Sequence, residues 1–496
     1  MADAPEDAQL AALDLGSNSF HLVVAHQVNG RIQIVDRIKE TVRLAEGLDD
    51  KNRLSDLVAE RSLACLERFG QRLKNLHRAN VRAVGTNTLR RASNVTAFLE
   101  SAEDALGFPI EIISGREEAR LIYLGVAHSI EDNFDRRLVV DIGGGSTELI
   151  VGHGFETDLT ESLHMGCVGM SRTCFEDGRI RATDYKDAVN RARQELTPVA
   201  TAFVEAGWDT AIGASGTILA VQEVLAQLQH AHAGITADGI KQIRKQLLDA
   251  GHADKVSLPG LSADRSAVFP GGVAILDAIF QTLEVDTMQA TNGALREGVI
   301  QDLLGRVQHQ DIRENTVLDL CSRYHIDQKH GRRVRDLAIS LLAQVAVAWK
   351  LTDPNDALLL SWAADLHEIG MDISHSQYHK HGGYLLNNMD LPGFSRSDQS
   401  QLANLVRTHR RKFPVDEGYS EKTTRLAVLL RLAVLFHRNR TSSPLPHVAM
   451  AAENRHVNLM LPTDWLEGHP LTRLDIAQEA DYLSTIGIEL LTAESA

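Results

Sequence analysis

One pattern, met twice, constrains this chain more than any other feature. Ala11–Val24 reads AALDLGSNSFHLVV, and Leu138–Val151 reads LVVDIGGGSTELIV. In each copy an apolar β-type run ends in an aspartate (Asp14, Asp141), passes x-Gly and a few small polar residues, and enters a second apolar run. Two apolar runs around a Gly-containing turn predict a β-hairpin. Recurrence of the whole unit predicts an internal duplication, and hence two related lobes.

The text between and after the copies fits an α/β class. Leu66, Phe69, Leu73 and Leu76 recur with a helical period. Val81–Val84 reads as a strand running into Gly85-Thr86-Asn87-Thr88, Ile110–Ile113 as a strand entering Ser114-Gly115-Arg116-Glu117, and Thr210–Gly213 as a strand entering Ala214-Ser215-Gly216-Thr217. Strands alternating with helices around such turns mark α/β folds. Beyond about Leu304 the strand signals almost vanish, and the text to about Arg440 predicts an all-helical domain broken at Pro354, Pro392 and Pro414. Alternation in His456–Leu461 predicts a small terminal α+β unit. The expected domains are residues 1–127 and 128–303 as two lobes around a cleft, 304–441 as the helical domain and 442–496 as the terminal unit.

Charge narrows the partners. With 51 Lys plus Arg against 66 Asp plus Glu the formal net charge is -15, so a polyanion meets a repulsive average field and generic nucleic-acid or membrane-surface binding is not expected. An anionic substrate must be met locally. The four cysteines (Cys65, Cys167, Cys174, Cys321) include no C-x-x-C pair, which argues against a disulfide framework and for a reducing, cytoplasmic setting. The acidic start MADAPEDAQL lacks the basic and apolar regions of an export signal. The apolar stretch Leu426–Phe436 is interrupted by Arg431, and no run approaches the roughly 18 apolar residues of a membrane span.

Gly and hydroxyl turns after strands present backbone N–H groups without Cβ obstruction, which is what phosphate oxygens need. Three such turns, two with Asp at the same offset, predict a phosphate site. A carboxylate beside phosphate oxygens is repelled unless a cation intervenes, and Mg²⁺ is the natural one. Ser114 and Glu117 form an S-x-x-E capping box. Glu118, about 100° further round the helix, faces away from that cap. Arg90 and Arg91 follow a strand end, where an Arg can clamp two phosphate oxygens or merely be solvated.

In order, DLGSNSFHLVV, GTNTLRRASN, SGREEARLIY, VVDIGGGSTELIVG, MGCVGMSR, GASGT and GALREG resemble the exopolyphosphatase and guanosine pentaphosphate phosphohydrolase family of the actin, sugar-kinase and heat-shock ATPase superfamily. The resemblance spans about Leu10 to Gly298 and implies two actin-like (ribonuclease H-like) lobes and a homodimer. It implies that Glu118 is the catalytic glutamate that orients or deprotonates water, and that Asp141 and Glu148 are magnesium-associated. Asp14, equivalent in its turn, joins them as a candidate metal ligand. It further implies that Ser17, Asn18, Thr86, Thr88, Arg90, Gly143, Gly144, Gly145 and Ser146 grip phosphate, with Ser215, Gly216 and Thr217 as a second phosphate loop. The expected activity is Mg²⁺-dependent release of terminal phosphate from inorganic polyphosphate. The alternatives are hydrolysis of guanosine pentaphosphate at its terminal phosphate, a kinase of the same superfamily, and a noncatalytic sensor of polyphosphate or of a guanosine penta- or tetraphosphate.

LHEIG and LPGF in the helical region resemble the HD phosphohydrolases, but His367-Glu368 stands where that group has His-Asp. The metal set looks degraded. His375, His379 and His381 follow with uncertain spacing, so the domain is expected to be a binding platform rather than a second active site. Between Leu405 and Arg440 nine basic residues face three acids, Asp416, Glu417 and Glu421. Such a run is either a solvated face or a polyphosphate path, with Arg407, Arg410, Arg411 and Lys412 as its candidate contacts.

Overall fold

The computed structural model describes residues 9–28, 31–130, 136–228, 234–308, 310–414 and 418–495. Asp416 and Glu417 of the basic stretch lie outside the described residues. The chain divides into two compact units, Met1–Asp311 and Ile312–Ala496.

The first unit carries the duplication. Strands β1 (Gln9–Leu15), β2 (Ser19–Val28), β3 (Arg31–Thr41), β4 (Val81–Gly85) and β5 (Ile110–Ile112) form a sheet in the order β3-β2-β1-β4-β5. The second sheet contains β6 (Arg136–Ile142), β7 (Thr147–His153), β8 (Glu156–Leu163), β9 (Thr210–Gly213), β10 (Ile235–Thr236) and β11 (Thr287–Ala290), in the order β10-β11-β9-β6-β7-β8. Read from β8, the second sheet repeats the first: an antiparallel three-strand meander, then two strands parallel to its inner edge. Both hairpin turns occupy equivalent places, and both aspartates sit next to the last residue of the first strand. This is the actin-like arrangement of two lobes.

The strands that carry the turns are buried on both faces, as strands covered by helices must be. β1 is a near-continuous apolar run whose alternate side chains enter two cores, Ala11, Leu13 and Leu15 on one side and Leu10 and Ala12 on the other. The second of these cores is shared with Val139 and Ile150 of the other sheet and with Leu295, Val299 and Ile300 of helix Leu295–Val307. That helix, placed by sequence with the second lobe, packs on β1 and on helix Gly115–Ala127. The helices meet through glycines: a Cβ on Gly298 would lie 1.7 Å from the Leu121 carbonyl oxygen, and one on Gly125 2.1 Å from that of Ala294.

A buried ion network locks the same crossing. Asp302 accepts from Arg82 Nη1 at 2.7 Å, from Arg120 Nη2 at 2.5 Å and from Arg306 Nε at 3.0 Å, while Arg120 also holds Glu117 and Arg82 holds Glu111. Three arginines are thus balanced by three carboxylates.

The second unit packs helices Ile312–Arg323, Gln328–Val345, Pro354–Leu366, Tyr378–Asn388, Arg396–Thr408 and Glu421–Phe436 around one core. A three-stranded sheet of β12 (Ala449–Glu453), β13 (His456–Pro462) and β14 (Glu489–Ser495) contributes Val457, Leu459 and Leu490 to that same core. No helix among the described residues is long and apolar enough to cross a membrane.

Candidate active site

The two duplicated turns face one another. A Cβ built on Gly144 would lie 3.2 Å from Ser17 Cβ, and one on Gly145 3.2 Å from Ser17 Oγ, so glycine is what allows the turns to approach. The Gly143 and Gly144 carbonyls accept from the N–H groups of Cys167 and Val168 at 2.9 and 3.0 Å. The Gly143 N–H is taken by the Ser146 carbonyl at 2.9 Å, so the N–H groups of Gly144 and Gly145 are what the turn has left to offer a ligand. Ser17, Asn18, Gly143, Gly144, Gly145, Ser146 and Thr86 all line one cavity of about 400 Å³. Ser215, Gly216 and Thr217 line it too, at the N-terminus of helix Gly216–Gln227. Ser215 Oγ caps that helix by accepting from Ile218 N at 3.2 Å, and a helix N-terminus is a natural anion site.

Four acids converge on the same space: Asp14, Glu118, Asp141 and Glu148. Hairpin register explains one pair, because Asp141 lies directly opposite Glu148 on β7, whereas Asp14 lies opposite His21 on β2. Glu118 comes from the first turn of helix Gly115–Ala127, capped by Ser114 Oγ, which accepts from Glu117 N at 3.1 Å. The Glu117 carboxylate pairs with Arg120 through both oxygens at 2.8 Å, leaving Glu118 to the cleft.

Burial dominates the electrostatics. It pushes Asp14 up to about 7, against the pull of Arg296. Asp141 and Glu148 are pushed well above the usual carboxylate range, first by burial and then by repulsion from neighbouring acids. Glu118 is also raised by burial, with the Arg90 charge opposing. Asp14 Oδ1 is buried without a hydrogen-bond partner. An all-oxygen set of crowded, desolvated carboxylates fits a hard divalent cation. Among the described residues these acids do not form a triad with donor atoms within 4.8 Å, so the fit is to an ion held by one or two carboxylates and completed by phosphate and water.

Two expectations need correction. Arg90 does not line the cavity: its Nη1 donates to Glu118 Oε2 at 2.6 Å and to the Ile113 carbonyl at 3.1 Å. It orders the glutamate. Thr88 donates to Ser17 Oγ at 2.8 Å and lines a second cavity, of about 530 Å³, on the other side of Gly144 and Gly145. The cations that do face the first cavity are Arg37, Lys39, Arg265 and Arg296. Sequence reading missed them, although Arg296 sits inside GALREG; Arg37 and Lys39 look like ordinary exposed positions of an edge strand. In the second unit, Arg410 and Arg411 line a separate cavity of about 300 Å³, Arg407 packs beside Gly383, and Lys412 is exposed.

Fold and cleft define an actin-like phosphate-handling protein. Residues 23–307 match the Ppx/GppA phosphatase family, and residues 312–480 match domain III of the same family. The chain belongs to the Ppx/GppA phosphatase family. It is 41% identical, over 99% of both chains, to the guanosine-5'-triphosphate,3'-diphosphate pyrophosphatase of Vibrio vulnificus. It is also 41% identical to the Aliivibrio fischeri (strain MJ11) protein of that name, over 97% of each. Among solved structures, the Aquifex aeolicus family member matches with a TM-score of 0.51 and 26% identity, covering 60% of this chain and 99% of that one. An exopolyphosphatase from Cytophaga hutchinsonii matches in fold, with a TM-score of 0.54 and 24% identity over 61% of this chain and 98% of its own.

Proposed function

We propose that this phosphatase-family chain hydrolyses the terminal 5'-phosphoanhydride of guanosine pentaphosphate, releasing orthophosphate. The full-length relatives named for that substrate support this over polyphosphate, the first expectation from the sequence. The observation that carries it is the composition of the cavity. It is lined at once by acids (Asp14, Asp141, Glu118), by cations (Lys39, Arg265, Arg296) and by apolar side chains that include Leu219 and Val268. An inorganic polyanion has no use for an apolar wall. A nucleoside carrying phosphates at two positions uses all three surfaces, since ligand pockets join apolar walls to a few placed polar groups.

Glu118, whose carboxylate form is favoured by the Arg90 charge against burial, accepts a proton from water as the water oxygen attacks the terminal phosphorus. The P–O bond to the bridging oxygen breaks, and the leaving diphosphate takes the electron pair. The N–H groups of Gly144 and Gly145 and of the Gly216 helix terminus hold phosphate oxygens in line, and such positioning is most of phosphoryl-transfer catalysis. Asp14, Asp141 and Glu148 are the residues to hold Mg²⁺, which when bound supplies charge neutralisation for the phosphate oxygens.

Polyphosphate is the second reading, favoured by one observation: the neighbouring cavity, which shares Gly144 and Gly145, is lined by three arginines, Arg91, Arg172 and Arg191, against two acids, Asp49 and Glu195, a balance suited to a longer polyanion. Phosphate release from guanosine pentaphosphate and long-chain polyphosphate, compared at equal concentration with Mg²⁺, separates the two. A higher kcat/KM for the nucleotide is expected, with R265A lowering it more for the nucleotide than for the polymer. A large preference for the polymer reverses the assignment.

A further inference from the structure

Of the twelve lysines in the chain, Lys39 is the one that lines the phosphate cavity. Strand register puts it there. On β3 it lies opposite His21 of β2, which in turn lies opposite Asp14 of β1, so one row of side chains crosses the sheet. Neighbouring strands stand about 4.8 Å apart, which sets the Lys39 backbone two spacings, about 9.6 Å, from that of Asp14. Among the described residues no carboxylate pairs with Lys39, whereas Lys241 and Lys422 are held by Asp238 and Asp356 at 2.9 and 2.8 Å. Lys39 is also exposed, so a small reagent reaches it from solvent.

What surrounds the amine is mostly positive. Arg296 Nη1 bonds His21 Nδ1 at 2.9 Å, next to Lys39 in the row, and Arg37 follows on the same strand and the same cavity. Arg265 reaches the cavity from elsewhere in the chain. A Cβ on Gly216 would lie 1.9 Å from Arg265 Nη2, so that guanidinium rests on the N-terminus of helix Gly216–Gln227. The N–H groups of a helix start attract an anion, and a guanidinium against them strengthens the hold. Partial desolvation and the Arg265 charge bring the Lys39 ammonium below its ordinary range, with Asp264 opposing and Arg296 adding to the fall. An amine crowded by cations gives up its proton more readily and becomes a nucleophile.

We propose that Lys39 is an acylation site for acyl phosphates, small anions in which the group this cavity binds is also the leaving group. The phosphate oxygens bind at the Gly216 terminus and Arg265, and the Lys39 nitrogen attacks the acyl carbon. A C–N bond forms, the C–O bond to phosphate breaks, orthophosphate leaves with the electron pair, and the nitrogen passes one proton to it. The resulting amide carries no charge, so the cavity loses one of the cations that meet an anionic substrate. KM should rise while kcat holds, because the acids of the site are untouched. That consequence rests on the functional reading given above; the modification itself needs only the cavity and its amine.

The test is incubation of the full chain with acetyl phosphate in mildly alkaline buffer, with acetylation followed lysine by lysine by peptide mass spectrometry. Lys39 should react about tenfold or more faster than the exposed Lys51 and Lys186, a small part of what orienting two reactants can give. Excess orthophosphate should abolish that lead, and the N-hydroxysuccinimide ester of acetic acid, which acylates amines but carries no phosphate, should not produce it. R265A should slow Lys39 alone, the other lysines serving as the folding control. KM is then read on guanosine pentaphosphate and on polyphosphate. It should rise on acetylation of the native chain, whereas K39R, which keeps the charge but is not acylated, should retain its own KM through the same treatment. Lys39 reacting no faster than Lys51 and Lys186, a lead that orthophosphate leaves intact, or an equal lead with the ester overturns the site. Complete acetylation of Lys39 with KM unmoved on both substrates overturns its effect on binding, while a rise on the polymer alone overturns the choice of substrate and leaves the site standing.

Discussion

Replacing Asp302 by Asn probes how the helix that carries Glu118 is held in place. Asp302 is buried on helix Leu295–Val307 and takes three guanidiniums, two of them, Arg82 and Arg120, reaching it from β4 and from the helix that carries Glu118. The substitution keeps the shape and one acceptor oxygen but leaves three arginines, Arg82 buried and Arg120 and Arg306 half-buried, facing two carboxylates, Glu111 and Glu117. Breaking a buried ion pair from one side costs about 3–5 kcal/mol, because the stranded charge stays desolvated. Partial neutralisation by Glu111 and Glu117 places D302N toward the lower end. Hydrogen exchange read by mass spectrometry reports it locally: amides in 115–127 and 295–307 that open through loss of this crossing should exchange about 10²–10³-fold faster, at 1.4 kcal/mol per decade. Helix Glu421–Phe436, in the other unit, is the internal control. Asp302 is held below its ordinary range by the arginines, burial opposing. Its contribution is therefore fully present above the unfolded carboxylate value of about 3.9 and lost as pH falls through the folded one. D302N should flatten the acid dependence of stability below about pH 4. An increase under about fivefold in the two helices, or an equal change in the control, refutes the network as their lock.

Glu118→Gln should lower kcat by about 10²–10⁴-fold, the usual worth of a general base, while substrate binding by equilibrium dialysis persists; unchanged turnover removes Glu118 from the mechanism. Arg90→Ala should move the acidic limb of the pH–kcat profile to higher pH, because it removes the charge that favours the carboxylate form of buried Glu118; a rise in KM with an unmoved profile returns Arg90 to substrate contact. Asp14, raised to about 7 when folded against about 3.9 unfolded, binds more protons in the folded state between those values. Stability without Mg²⁺ should therefore fall as pH rises from about 4 to 7, an effect that Mg²⁺ or D14N should reduce, as followed by thermal denaturation.

The duplicated hairpins, their aspartates and the α/β alternation were legible in the sequence because each depends on local spacing. A strand needs alternate or continuous apolar residues, a tight turn needs glycine, and a cap needs its hydroxyl, all within a few positions. The same locality exposed Glu118 as the acid left over once Ser114 and Glu117 had formed the helix start. Where partners lie far apart in the chain, the text was silent. It offered Arg90 as a phosphate clamp, and only folding showed it bound to Glu118, 28 positions away. It did not place Lys39, Arg265 and Arg296 on one cavity. A side chain's charge and size are written in the sequence, but its partner, its burial and therefore its ionisation depend on which distant segments pack against it. Those are properties of the tertiary structure alone.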